Sequence, residues 1–400
     1  MRNRNRKRIN YSELGRRVQL DGLGRTCQFL EGALDSGSMA PMDFSIQDLA
    51  EALIVDSHGQ PVGPDWVRQL GPQKSGGMLL MEASSGVSLS AFTNITGQIV
   101  YSAMMQGYQQ DAFIAQQLVP NIPTRLSGEK IPGITGLYDS VEEVNPGMPF
   151  PEMGFGEDYT ETPATTKRGF IISVDKETIF FDRTSQVVQR AGQVGEVLGR
   201  KKEKLLWDVI AGITNNYKWR GTTYNTYQTS TPWINTASGA ELLDWTDLDT
   251  AEQLFSNILE PNTDEPIVVE PDTVVIMPKK RHTLRQILGA SQLRVTSPTS
   301  AITQTIAPNT IQGYSSVESR FAYRRIISSG VAAADAANWW FLGNFKKAFA
   351  WMENWPITVV QAPDNHEAEF KQDIVLRWKA SERGIAAVMN PRYVVKMYQA

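Results

Sequence analysis

TSQVVQRAGQVGEVLGRKKEKLLWDVIA, residues 184–211, carries the clearest periodicity in the chain. Val187, Val188, Ala191, Val194, Val197, Leu198, Leu205, Leu206, Val209 and Ile210 fall largely on one helical stripe. Arg190, Glu196, Arg200, Lys201, Lys202, Glu203 and Lys204 take the opposite face. Thr184 is placed to cap the start, and Gly212 sits where a helix favours glycine at its end. At 1.5 Å per residue such a helix spans roughly 42 Å. That exceeds what a small domain needs, so the spacing predicts a spine for the whole subunit.

On the N-terminal side, Lys167 to Lys176 is rich in β-formers and reads as a strand. Before it, residues 120–168 are broken by Pro120, Pro123, Pro132, Pro146, Pro149, Pro151 and Pro163, which exclude a long helix. Ile131, Leu137, Tyr138, Val141, Phe150, Phe155 and Tyr159 in that segment are costly to leave in water. An extended excursion that packs against something outside its own core accounts for both features. Further back, residues 92–118 show helical spacing ending before Pro120, a Gly/Ser stretch over 75–90 reads as loop, and residues 43–54 form a short amphipathic helix with Ser45 as N-cap.

On the C-terminal side, residues 213–245 are aromatic and turn-prone. A helix opens at Thr246, residues 273–277 form a buried strand, and residues 279–288 are helical, an α/β alternation. Residues 338–342, 348–351, 357–360, 373–378 and 384–388 read as separate strands, with Asn354, Pro356, Pro363, Asp364 and Asn365 as turns, before a final strand near 393–396.

Length and composition narrow the function. Four hundred residues exceed one small core. Charged residues make up 20 %, below the usual ~25 %, which suits a subunit that gives surface to neighbours. A single cysteine, Cys27, excludes an internal disulfide framework. No run approaches the ~20 apolar residues of a membrane span, and the basic start lacks an apolar signal core, so a soluble intracellular protein is expected. Arg2, Arg4, Arg6, Lys7, Arg8, Arg16, Arg17 and Arg25 against Glu13 and Asp21 give residues 1–30 a charge of +6, leaving −10 on the rest. Such an arm suits a salt-dependent contact with nucleic acid or an acidic partner, against the competing reading of a solvated tail.

Sites for chemistry are scarce. Phosphate-loop, nucleophile-elbow, HExxH, CxxC and dinucleotide motifs are missing, and His58, His282 and His366 show no metal-ligand spacing. Positive charge near Cys27 would favour a thiolate, but a structural cysteine is the plainer reading. Glu142/Glu143 and Glu157/Asp158 are expected to be solvated charge, as is Lys279-Lys280-Arg281-His282 at a helix start. Trp339, Trp340, Trp351, Trp355 and Trp378 read as packing residues, with a sugar or nucleobase platform as the alternative. No catalytic residue, cofactor or metal site is expected.

The order of elements (N-terminal arm, proline-broken β excursion, charged spine helix, α/β insertion, terminal strands) resembles the tailed-phage major capsid protein family with the Hong Kong 97 fold. The family-like stretches are Lys167 to Gly212, Val274 to Leu288, and Trp340-Phe341-Leu342-Gly343 through Gly384 to Lys396. The resemblance implies an α+β subunit with an arm and short helix (1–90), a helical part of the core (91–127) and an extended β-hairpin loop (128–183). A peripheral domain with the spine helix (184–245), an axial domain (246–335) and peripheral strands (336–400) would follow. It implies no enzyme but a shell subunit of the virion, assembled in the host cytoplasm through hexamers and pentamers around double-stranded DNA, with portal, scaffold and decoration proteins as further partners and no membrane. Phe150, Phe155, Tyr159, Lys167 and Arg168 would then meet a neighbouring subunit, and Arg2, Arg4, Arg6, Lys7 and Arg8 DNA or a scaffold. An encapsulin-like compartment and an α/β enzyme acting on carbohydrate or nucleotide are the alternatives.

Overall fold

A computed structural model describes residues 10–53, 94–134, 144–145, 157–175, 177, 186–260, 266–296, 304–311, 313–362 and 374–398. The chain starts with helices α1 (Tyr11–Asp21), α2 (Leu23–Asp35), α3 (Ile46–Leu53), α4 (94–108) and the single turn α5 (Ala115–Leu118). Strands β1 (Asn121–Pro123), β2 (Lys130–Ile134), β3 (Glu157–Glu161) and β4 (Thr166–Asp175) precede the long helix α6 (Gln186–Ile210). Three short strands follow, β5 (Tyr217–Trp219), β6 (Thr222–Tyr224) and β7 (Thr236–Ser238), then α7 (Trp245–Ser256), β8 (Thr273–Ile276) and α8 (Arg281–Gly289). A hairpin of β9 (Gln292–Thr296) and β10 (Gln304–Pro308) leads to β11 (Ser315–Glu318) and α9 (Arg320–Ser328). The chain closes with β12 (Trp340–Gly343), the long strands β13 (Phe349–Gln361) and β14 (Ile374–Val388), and β15 (Val394–Tyr398).

The chain forms two compact units. The first takes the described parts of Met1–Ala112, Lys167–Lys201 and Pro356–Glu382. Its core gathers Phe44, Ile46 and Leu49 around Ile95, Ile99, Val188, Leu198 and Trp378. Here α4 and α6 approach to backbone contact. A Cβ on Gly107 would lie 2.1 Å from the Gly192 carbonyl oxygen, and one on Gly195 2.0 Å from that of Met104. Larger residues at either position would force the helices apart. The helices α1 and α2 are a finding beyond the sequence reading, which treated this stretch as an arm. Asn10 caps α1 by accepting from the Glu13 amide at 3.4 Å, and α1 packs on α2 and α3.

The second unit takes the described parts of Phe113–Thr166, Lys202–Trp355 and Arg383–Ala400. Its five-stranded mixed sheet runs β11-β8-β12-β15-β7. Side chains alternate across it, so Val274, Ile276, Trp340 and Leu342 enter one core with α7 and α8. Val275, Met277 and Phe341 enter another with Trp207, Ala322 and Ile326. A sheet buried on both faces needs apolar residues at successive positions, which explains the unbroken runs.

Several expectations are corrected. Lys202 and Glu203, read on the face opposite the apolar stripe, are themselves buried, at 3 % and 0 % exposure. Lys280 is buried too, its Nζ donating to the Leu242 carbonyl at 3.0 Å and pairing with Glu241. The helix read as opening at Thr246 is α7, which begins one residue earlier and is capped by Asp244 in a reciprocal box with Asp247. Strands proposed at 348–351 and 357–360 are one strand, β13, running through Asn354 and Pro356, and residues 374–388 are likewise continuous. The helix predicted over 92–118 is interrupted, ending at 108 and resuming for one turn before Pro120. The strands read at 167–176 and 273–277 and the helix read at 279–288 stand within a residue or two, and the helix read over 43–54 begins at Ile46, after Ser45; the loop read over 75–90, the Thr184 cap and the turns at Pro363, Asp364 and Asn365 lie outside the described residues. Gly212 follows α6 with φ +71°, and Trp340, Trp351 and Trp378 are core residues.

Candidate inter-subunit surface

The base of the excursion is built into the second unit. β2 and β3 pair antiparallel, Lys130 opposite Glu161 and Ile134 opposite Glu157, and β3 continues onto β5 with Thr160 opposite Trp219. Glu161 accepts from Lys218, and Lys130 lies 3.5 Å away; the Lys218 hydrogen bond leads in holding its carboxyl below the usual range. Asp158 accepts from Trp219 Nε1 at 2.7 Å and Arg220 Nε at 3.1 Å, so it is part of a built network rather than solvated charge. Tyr159 is half-buried under Lys130, whose Nζ is 4.8 Å from the ring centroid. Phe150 and Phe155, in the reach of the excursion, lie outside the described residues, as do Arg2, Arg4, Arg6, Lys7 and Arg8.

In the first unit, β4 presents the other notable surface. Lys167 is exposed. Arg168 is half-buried, and burial pulls its guanidinium below the ordinary value while Glu382 and Tyr108 oppose that shift. Tyr108 donates to Glu382 Oε2 at 2.8 Å. Phe170 and Ile171 are 46 % and 56 % exposed, and Val197 on α6 is 48 % exposed. Together with Ile172, Arg190 and Val194 they line a shallow depression of about 530 Å³. Scattered apolar residues on a surface are ordinary; here several meet in one concavity. The signal was present in the sequence, since Phe170-Ile171-Ile172 breaks the alternation of a strand with one wet face.

Nothing in these surfaces points to catalysis. No cluster of metal-ligating side chains occurs among the described residues. Burial raises the Cys27 thiol above its ordinary value, with Glu31 adding to the shift, so nearby arginines do not make it a thiolate. No helix among the described residues is long and apolar enough to cross a membrane.

Comparison with known proteins decides the family. The family model described as phage capsid protein matches residues 158–397. The chain belongs to the phage capsid protein family. It is therefore a structural, virion-shell protein by family. No curated protein matches it. Solved structures similar to this capsid protein include the capsid of cyanophage P-SCSP1u, 15 % identical over 70 % of this chain and 86 % of that one, with a TM-score of 0.46. The capsid of the native GTA particle is 9 % identical over 73 % and 91 %, TM-score 0.45, and the mature capsid of bacteriophage PhiM1 is 12 % identical over 73 % and 88 %, TM-score 0.43.

Proposed function

We propose that this chain is the major head protein of a tailed phage or prophage. It assembles through hexamers and pentamers into an icosahedral shell around double-stranded DNA, and it does so without enzymatic activity. The observation that carries the reading is the apolar depression of Phe170, Ile171 and Val197 on a member of a capsid family. Removing side chains of this kind from water is worth about 1.5–3 kcal/mol each, so a repeated contact of this kind helps drive assembly.

In this reading residues 128–183 form the extended loop of a Hong Kong 97-like subunit. Residues 184–245 and 336–400 form the peripheral domain, and 246–335 the axial domain. The loop, carrying Phe150, Phe155 and Tyr159, reaches a neighbouring copy, and Lys167 and Arg168 at its return flank the same contact. The segment Arg2, Arg4, Arg6, Lys7, Arg8 faces DNA or a scaffold. Electron microscopy of the expressed protein tests the whole: closed shells or capsomers are expected, and a monomer that persists at micromolar concentration overturns it.

A further inference from the structure

β4 pairs with β14 on one side and ends its sheet, so no strand lies along its other edge among the described residues. It is a long edge, ten residues. Unpaired N–H and C=O groups along such an edge template another strand, and proteins usually blunt them with proline or with charges along the middle. β4 does neither. Its charges stand only at the ends, Lys167 and Arg168 at one and Asp175 at the other, around the uncharged run GFIISV. Side chains alternate along it. Val174 is buried and Ile172 packs on the same core, which puts Arg168 and Phe170 on the inward row. Lys167, Gly169, Ile171 and Ser173, all exposed, form the outward row with Asp175.

We propose that β4 pairs antiparallel with β4 of a second copy across a two-fold axis. The pair rests on the reading of this chain as a self-assembling subunit, and an isologous contact of this kind is self-complementary. Symmetry limits the register. A two-fold normal to the sheet keeps each row on its own face, so the numbers of opposing residues must add to an even sum. That excludes Arg168 opposite Asp175. Centred on Ile171, the pairing sets Lys167 opposite Asp175 and Phe170 opposite Ile172, each twice, while Ile171 meets its own copy. Opposite charges and aromatic–β-branched pairs are favourable cross-strand neighbours. A slip of two residues either way leaves no opposite-charge pair within β4. The pairing takes up the edge of β4, and Val194 and Val197 on the α6 side of the depression remain for a neighbour's loop.

Cysteine crosslinking of the full chain in a Cys27→Ser background tests the pair. Ile171→Cys, at an exposed position, sets two thiols face to face with their Cα atoms about 4.5–5.5 Å apart, within disulfide reach. Lys167→Cys, four residues from the axis in each copy, puts them roughly 27 Å apart and serves as control. Mild oxidation should link Ile171→Cys copies into dimers about tenfold above that control. Added to Ile171→Cys, Lys167→Asp or Asp175→Lys alone should each lower the dimer about fivefold, and the two together should restore it. Particles that form without a crosslink at position 171, or that crosslink equally at position 167, overturn the strand pair and leave the shell reading standing. Single charge reversals without effect overturn the register. A crosslinked dimer that never closes into particles upholds the pair and overturns the shell reading. A persistent monomer overturns both.

Discussion

Arg325 holds Asp208 in a two-pronged grip, Nε to Oδ1 at 2.6 Å and Nη2 to Oδ2 at 2.8 Å. The pair ties α9 to α6 in the second unit, and the Asp208 hydrogen bond leads in raising the guanidinium above its ordinary value. Parallel bonds between a planar fork and a carboxylate are stronger than a point-charge contact. Arg325→Ala leaves Asp208, only 8 % exposed, without that partner. A loss of about 2–3 kcal/mol in denaturant unfolding is expected, with Arg325→Lys recovering part of it. An Arg325→Ala variant as stable as the parent would show that the grip contributes nothing.

Glu203 performs a similar task inside the second unit. Its carboxylate accepts from the Ala115 amide at 2.9 Å, the Gln116 amide at 3.3 Å and Trp207 Nε1 at 2.7 Å. Burial raises the carboxyl above its ordinary value, and these donors oppose the shift. Glu203→Ala strands those donors, and about 3 kcal/mol of stability should go with them, while Glu203→Gln, which keeps one acceptor oxygen, should cost less. Unfolding followed by tryptophan fluorescence distinguishes the two.

Lys396 gives the chain a pH response in the alkaline direction. Its Nζ is 3.4 Å from the Trp339 ring centroid, with Tyr398 at 5.2 Å and Tyr227 at 5.5 Å, and burial lowers its pKa to about 7. The unfolded chain holds that proton up to the ordinary lysine pKa near 10.4, whereas the folded chain releases it near neutrality. Between those values the unfolded state binds more protons, so this residue adds stability as pH rises, at up to about 1.4 kcal/mol per pH unit. Below pH 7 the penalty for charging it in the folded state is fully present. Lys396→Met should therefore flatten the rise of the unfolding midpoint between pH 7 and 10; identical slopes for variant and parent would refute this.

How much of this was legible beforehand depended on what covers each residue. The stripe of α6 announced a long helix because its apolar spacing is a property of the helix itself. The burial of Lys202 and Glu203 on its other face was not legible, because elements distant in sequence cover them. Glu203 meets α5, and Lys202 Nζ sits 3.4 Å from Asn121 Oδ1 and 4.8 Å from the Trp351 ring centroid. Pro356 looked like a turn because proline lacks an N–H. Yet β1 pairs with β13 only from Trp351 to Glu353, so no β1 residue stands beside Pro356 to require one. The basic start hid α1 because its charges ride on a helix. Arg17 pairs with Glu13 one turn away and lies 4.1 Å over Phe29. The candidate surface was half legible: a strand at 167–176 was read, but its apolar outward residues emerged only with the fold.

The arginine-rich segment offers a test in salt. Phosphate contacts release counterions, so their strength falls steeply as salt rises. Deleting residues 2–8 should change assembly or DNA retention, with a difference from the parent that shrinks between ~50 and ~200 mM salt. Particles of unchanged yield and DNA content at all salt concentrations would mark the segment as inert.

The contact between copies can be separated from the folding of each copy. Phe170 and Val197 are about half exposed, so Phe170→Ser with Val197→Ser removes little that the isolated subunit buries. In a shell the same side chains would lose their water, and each substitution would then cost about 1–3 kcal/mol at every interface. Repeated around a ring, that loss should lower the yield of closed particles by at least tenfold while the thermal unfolding of the dispersed subunit stays close to the parent. Phe150→Ser with Phe155→Ser should do the same from the other side of the proposed contact. If either pair unfolds the subunit as severely as it blocks assembly, those side chains serve an internal core. If both pairs leave particles intact, the depression on β4 and α6 does not receive a neighbour.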